Sequence, residues 1–354
     1  MKTVRANSAC STHPPGRRKS CRRSLLPFAL LYGLVPFVCQ GQGPVYELLR
    51  VLGSVAGVRP PERLSGRYGK LLFGKPAPPL LAPDSVTVDP RGRVWITDRG
   101  TRSVHMFDTS GNTFKVIGGN GLLDFQCPAG IDADSMGYIY VADSCLSKIF
   151  VFDRDGKFVR FLAGSDDDRV LKRPTALAVS RDRKIVFVLD AARSKLVVFN
   201  QEGEAVTEWD VDSEPGRASS VTAVDGKVYV LGGRTNEVSV FSGAGALLAT
   251  MKWDQAKDMG AFAYDAERRI YFAGSNRLAT VLAFGETGEL IGAFGQRGAG
   301  VNEMSAPGSI YVDAIGQIYV VDTQNAKVLV FREKGAGKRA PRPPDSPEFK
   351  RRGK

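Results

Sequence analysis

The chain has 354 residues, 43% of them hydrophobic and 24% charged, with 39 glycines, which excludes a disordered or fibrous polymer and fits a turn-rich globular protein. The formal net charge of +12 points toward an anionic partner, but it sits at the ends. Residues 1–41 hold seven Lys/Arg and no Asp/Glu, and residues 332–354 hold nine against three. The 33 basic and 34 acidic residues of 42–331 nearly cancel, so a nucleic-acid surface on the folded part loses its main support.

In chain order the first predicted element is an export signal over residues 1–41. "RRKSCRRSLLPFALLYGLVPFVCQGQG" has a basic start, an apolar stretch from Leu25 to Val38 and small residues after it. Cys39 and Gly41 stand at −3 and −1 of a cleavage after Gly41. The apolar stretch is short for a membrane span and carries Pro27 and Pro36. "RRSLL" loosely fits a twin-arginine signal. Val38 is bulky where a lipobox has a small residue before its cysteine, and the basic start is unusually long, so initiation at Met1 and initiation downstream of it both stay open.

After the leader come "VYELLRVLGSV" (Val45 to Val55), which reads as a strand, and an irregular Pro-rich insert up to residue 82, in which Tyr68 to Phe73 are expected to form a short helix. Six variants of one phrase follow: "RVWITDRGTRSVHMFD", "YIYVADSCLSKIFVFD", "KIVFVLDAARSKLVVFN", "KVYVLGGRTNEVSVFS", "RIYFAGSNRLATVLAFG" and "QIYVVDTQNAKVLVF". Each reads as two strands around a polar turn, preceded by a short strand such as "SVTVD" and mostly followed by a fourth such as "FVRFLAG". Asp98, Asp143, Asp190, Gly232, Gly274 and Asp322 are taken as equivalent strand ends. Turn pairs Arg91-Gly92, Asp155-Gly156 and Asp225-Gly226 separate strands.

Four strands repeated at about 45 residues is the signature of a propeller blade, whose faces are buried only by stacking against neighbours. The fold class is therefore all-β, a six-bladed β-propeller of four-stranded antiparallel blades. Blades are expected at about 83–119, 128–164, 174–210, 218–252, 259–295 and 307–331. The sixth stops at Phe331 without a fourth strand, so residues 45–55 are expected to pair with Val328 to Phe331 and close the ring. The basic tail 332–354 has almost no apolar content and is expected to be disordered.

Once the leader is removed, Cys127 and Cys145 remain, flanking one strand pair. A turn centred near Ser135/Met136 makes residues whose numbers sum to about 272 face each other, and these two do. Opposed antiparallel positions lie within disulfide reach, and an oxidising compartment lets the bridge persist. Two inert thiols are the alternative.

The repeated units resemble NHL repeats. The resemblance rests on "PAGIDADSMGYIYVADSCLSKIFVFD" and "PGSIYVDAIGQIYVVDTQNAKVLVF"; it is strong in the first, second, third and sixth units and weak in the fourth and fifth. It implies a six-bladed ring that binds on its loop-bearing face, and the leader, early closing strand and insert resemble the exported bacterial type. The streptogramin-inactivating lyases among the related propellers rely on a histidine base, and the amidating lyase uses several histidines for zinc. Here only His13, in the leader, and His105 occur, which disfavours both.

Asp98, Asp143, Asp190 and Asp322 are expected to brace turns by accepting backbone N–H groups. His105 is expected to pack structurally against a neighbouring blade. "SDDDR" (165–169) lacks the spacing of a calcium loop. No catalytic set and no metal set is legible, and no cofactor is expected. The ligand-face candidates are Arg99, Arg102, Arg193, Arg234, Asn236, Asn276, Arg277 and Asn325 on the turns between second and third strands; arginines suit carboxylates, phosphates and interface hot spots. The expected function is that of an exported, periplasmic or extracellular, monomeric ring. It binds a protein, peptide or glycan without catalysis, with nucleic acid disfavoured. The alternative is a lactonase-type, metal-dependent hydrolase or lyase with Asp98, Asp190, Asn236, Asn276 and Asp322 near the axis. A third reading has the basic tail touch an anionic envelope surface.

Overall fold

The computed structural model describes residues 44–53 and 79–335, apart from 109, 111–112, 119–122, 163–169, 181–184, 212–217 and 233–235. The leader, the Tyr68 to Phe73 helix, the "SDDDR" loop, Arg234 and the tail from residue 336 lie outside the described residues.

All regular elements described are strands. After β1 (Tyr46–Leu52), the first blade is β2 (Pro83–Val88), β3 (Val94–Asp98), β4 (Ser103–Asp108) and β5 (Thr113–Gly118). The second is β6 (Pro128–Ala133), β7 (Ile139–Asp143), β8 (Lys148–Phe152) and β9 (Phe158–Leu162). The third is β10 (Pro174–Val179), β11 (Val186–Asp190), β12 (Lys195–Phe199) and β13 (Ala205–Asp210). The fourth is β14 (Ala218–Val224), β15 (Lys227–Gly232), β16 (Glu237–Ser242) and β17 (Leu247–Lys252). The fifth is β18 (Met259–Asp265), β19 (Ile270–Ser275), β20 (Thr280–Phe284) and β21 (Leu290–Phe294). The sixth is β22 (Pro307–Val312), β23 (Ile318–Asp322) and β24 (Lys327–Glu333).

Each of the first five sheets pairs its strands consecutively and antiparallel, and the sixth has the order β1-β24-β23-β22. First strands of adjacent blades pack in cyclic order, β22 against β2 included, so the molecule is a closed six-bladed β-propeller. β1 supplies the outermost strand of the last blade, with Leu48 opposite Phe331 and Leu52 opposite Val328. Closure reaches further than Phe331: Tyr46 faces Glu333, and Arg332 Nε donates to Glu47 Oε1 at 2.7 Å. Arg332 and Glu333 therefore belong to the ring and not to the tail.

Six apolar cores fill the six spaces between blades. One joins Trp95, Val104 and Ile117 of the first blade to Ile131, Ile139 and Phe152 of the second; another joins Val94, Ile96 and Phe107 to Tyr319, Val321 and Val330 across the closure. Second strands such as β3, β7 and β11 are buried throughout, because each of their faces meets a neighbouring blade, and they read as near-continuous apolar runs. Each fully buried Leu, Ile or Phe contributes about 1.5–3 kcal/mol. Outermost strands such as β13 and β17 are mostly exposed. Gly130 marks a close approach between blades two and three, where an added Cβ would lie 2.6 Å from Ala176 Cα.

The pairing register sets the turns. Asp225 and Gly226 both have positive φ, 50° and 69°, between the paired Val224 and Lys227, the two-residue type I′ hairpin. In the second blade Ile131 faces Val141 and Ala133 faces Ile139, and a bulge then shifts Pro128 opposite Asp143. Just beyond these strand ends Cys127 and Cys145 are bonded, with Cα atoms 5.3 Å apart. One equivalence is corrected: in the fifth blade Met259 faces Ser275, as Pro83 faces Asp98 in the first. The strand-end residue there is Ser275, one position beyond Gly274, because β19 carries an extra residue.

Candidate ligand-binding face and channel

Paired residues such as Pro83 and Asp98 place the ends of second strands beside the beginnings of first strands. The turns between second and third strands therefore share one end of the ring with the connections between blades. Each of those turns carries one residue in the left-handed region: Arg102, Ser147, Ser194, Asn236, Ala279 and Ala326 have φ of 50–57°.

At this end the four repeat carboxylates are fully buried. Asp98 accepts N–H groups of Leu81, Ala82, Gly100 and Thr101 at 2.7–3.1 Å. Asp143 accepts those of Gln126, Cys127, Cys145 and Leu146 at 2.7–3.2 Å. Asp190 takes Lys172, Arg173 and Ala192, and Asp322 takes Ser305, Ala306 and the Asn325 amide. Each carboxylate ties its own turn to the two residues entering the first strand of the same blade. These acids hold the turns. In blade four, Asn236 Oδ1 accepts Met259 N–H at 2.9 Å, and in blade five Ser275 Oγ donates to Lys257 O and accepts Leu278 N–H.

The eight ligand-face candidates separate on inspection. Asn236 and Asn325 are turned inward, the latter donating to Gly298 O and Asp322. Arg193 is pinned on the outer part of its blade by Val170 O and Glu208. Arg99 Nε pairs with Asp84 Oδ1 at 3.1 Å; burial pushes the Asp84 carboxyl up while Arg99 draws it down. Asn276 leans over Gly260, and its Oδ1 is buried without a partner. Arg102 and Arg277 are exposed, and their guanidinium groups have no partner among the described residues. Arg234 lies outside the described residues.

A cavity of about 1560 Å³ is lined by all six first strands. At the loop end its wall includes Asp84, Arg99, Arg173 and Thr175. Toward the opposite end stands Asp132, which accepts the Thr87 hydroxyl at 3.0 Å and Val179 N–H at 2.8 Å and so clasps blades one, two and three. At the opposite end Asp89, Asp134, Asp265 and Asp313 accept N–H groups of their own turns, for example Met136 and Tyr138 onto Asp134, both at 2.9 Å. Asp225 and Glu267 are exposed there. Among the described residues no group of three His, Cys, Asp or Glu is arranged to hold a metal ion.

The side-chain oxygens of Asp98, Asp190, Asn236 and Asp322 are engaged with the chain itself, and none of these four residues lines the channel. His105 lies 2% exposed on β4, on the side where Phe107 packs against the sixth blade. Its Nε2 is 3.0 Å from Thr101 Oγ1 and 3.1 Å from Ser103 Oγ, and its Nδ1 has no partner among the described residues. Burial holds its pKa below the usual histidine range, against an opposing pull from Asp98. Sequence reasoning missed Arg173 and Thr175, which lie outside the repeated phrase. The signal that could have found them is Pro174: equating it with Pro83, Pro128 and Pro307 places both residues at the channel mouth.

Comparison with known proteins agrees with this architecture. A model of the NHL repeat matches residues 125–152, the second blade's first three strands, so the chain carries an NHL repeat within its six-bladed β-propeller. No curated protein matches it by sequence. Among solved structures, selenomethionine-substituted virginiamycin B lyase from Staphylococcus aureus is similar at 13% identity and a TM-score of 0.54, over 81% of this chain and 99% of that one. A streptogramin B lyase matches at 13% identity and 0.55, over 74% and 96%. Kuenenia stuttgartiensis hydrazine synthase matches at 17% identity and 0.54, over 71% and 84%. At these identities the likeness is one of fold.

Proposed function

We propose that this chain is an exported NHL-repeat propeller acting as a non-enzymatic interaction module, which takes a protein, peptide or glycan on its loop end. The observation that carries the reading is the division of labour among polar groups at that end. The repeat carboxylates are buried on backbone N–H groups, whereas Arg102, Arg173 and Arg277 stand exposed with unpartnered guanidinium groups, beside the exposed carboxylates of Asp124, Asp254 and Asp258 on the connections between blades. A closed ring fixes the backbone that carries such donors before binding, which lowers the loop-ordering cost of complex formation. The disulfide and the leader-like start support export.

The lyases of similar fold include one whose variant with a histidine replaced by alanine is described as catalytically inactive. Here the histidine among the described residues is buried on a third strand and does not line the channel, which favours binding over that chemistry. The test is selection of binders from a displayed library, repeated on two variants. Arg102→Glu with Arg277→Glu should abolish most of the selected binding, whereas Arg91→Glu at the other end should not. The reverse pattern overturns the proposal, as does a stoichiometric divalent ion in the purified protein together with lactone turnover.

A further inference from the structure

The loop-end mouth of the channel carries an uncompensated positive charge on a built wall. Arg173 precedes β10 and lines the cavity. Its backbone N–H is fixed on Asp190 Oδ1 at 3.1 Å, while its guanidinium has no partner among the described residues. Two residues on, Thr175 lines the same wall, with a buried hydroxyl that also lacks a partner. Two blades away Arg99 is half-satisfied by Asp84, which leaves N–H groups of its fork open. The far-end lining holds the carboxylates of Asp89, Asp134, Asp225, Asp265, Glu267 and Asp313 against the cations of Arg91, Lys227 and Arg268, an excess of acid. The field along the channel therefore draws an anion to the loop end and repels it from the other.

The geometry points to a carboxylate-capturing subsite at this mouth, with Arg173 as its anchor, Thr175 as a second donor and Arg99 as the opposite wall; the ligand class is an extended peptide bearing a carboxylate. This inference rests on the loop-end binding proposed above and names its chemistry. A guanidinium pairs a carboxylate through two parallel N–H···O bonds. Along the channel the first strands present a backbone edge with no further strand beside it, which suits an extended chain. The polarity of the channel sets the direction, carboxylate toward the loop end.

The experiment uses pools of N-acetylated hexapeptides, with free or amidated C-termini and with or without Asp and Glu, bound to the purified protein and read by affinity-selection mass spectrometry. Pools with a free C-terminus should be retained more than their amidated counterparts. Retention of amidated pools only when they contain Asp or Glu would assign the subsite to a side-chain carboxylate. Arg173→Ala should weaken retained peptides by about tenfold, as loss of one charge-assisted contact does, and Arg173→Lys less. Thermal melting of each variant verifies that the ring is intact. Equal retention of neutral amidated peptides, no retention of any pool, or indifference to Arg173 overturns the subsite. Indifference to Arg173 alongside loss on Arg102→Glu/Arg277→Glu overturns the subsite alone and leaves the broader reading standing.

Discussion

The second and fourth blades meet the same problem at the loop end with different means. In the second, Pro128 opens the first strand and faces Asp143, whose carboxylate gathers four N–H groups, and the Cys127–Cys145 bridge lies over the same junction. In the fourth, Ala218 faces Gly232, which has no side chain, and Asn236 reaches across to Met259 of the next blade. Across the ring Asp and Pro keep company: Pro83, Pro128, Pro174 and Pro307 face aspartates, whereas Ala218 and Met259 face Gly232 and Ser275. Proline holds the residue before it extended, so the two N–H groups entering the strand are presented to one acceptor. The repeat consensus thus marks an entry geometry together with its acceptor, and where the proline is lost the acid goes with it.

The sharpest way to break this comparison is Asp143→Ala. It leaves four N–H groups in a buried junction without their acceptor, and we expect a loss of about 3 kcal/mol or more, read as a lower urea midpoint. Asn236→Ala in the fourth blade removes one such bond and should cost only about 1 kcal/mol. Equal losses at the two sites would mean that the carboxylate is not the brace.

Next in size is the bridge. Cys127 and Cys145 lie 18 residues apart, and closing a loop of that order in the unfolded chain stabilises the fold by about 3 kcal/mol. Reductant, or the double replacement Cys127→Ala/Cys145→Ala, should lower the urea midpoint accordingly without lowering that of a ring already lacking the pair. If Asp143 and the bridge hold one junction, the triple variant will lose less than the sum of the separate losses.

The brace was legible because an acid returning about every 45 residues at the end of an apolar run is visible without a structure. The closing strand was legible for a related reason, since a blade ending at its third strand demands a donor from elsewhere. Ser275 was not: the fifth blade lacks both markers, and one extra residue in β19 shifted the alignment. Asn236 and Asn325 show a harder limit. An amide on a polar turn is chemically suited to a ligand or to the backbone, and only the fold reveals that both turn inward. Asp132 likewise reads as one acid in a strand, and its clasp on Thr87 and Val179 exists only once three blades meet.

A smaller effect distinguishes the first blade from the second through one position of their third strands. His105 stands where the second blade has Phe150, opposite Ile96 and Val141 respectively. Burial lowers the folded pKa of His105, whereas the unfolded side chain titrates near about 6.5. The folded state therefore binds fewer protons, so the stability that His105 contributes is present above the unfolded value and falls as pH drops through it. Urea midpoints between pH 7.5 and pH 5 should decline less in His105→Phe than in the parent. An identical decline would assign the acid sensitivity to other groups.

The smallest expected effect compares the six turns with one another. Arg102 holds φ of 50°, as do its counterparts within a few degrees, and an L-residue in that region carries strain of about 1–2 kcal/mol that glycine avoids. Glycine also widens the unfolded ensemble, which offsets about 0.4–1 kcal/mol of the gain. Arg102→Gly should therefore raise the urea midpoint by an amount equivalent to about 0.5–1 kcal/mol. Ala279→Gly should gain less, because Ala279 is fully buried and its methyl would be lost from the core between the fifth and sixth blades. A ranking with Ala279→Gly ahead would show that burial does not separate these turns, and that strain is unevenly shared among positions of nearly equal φ.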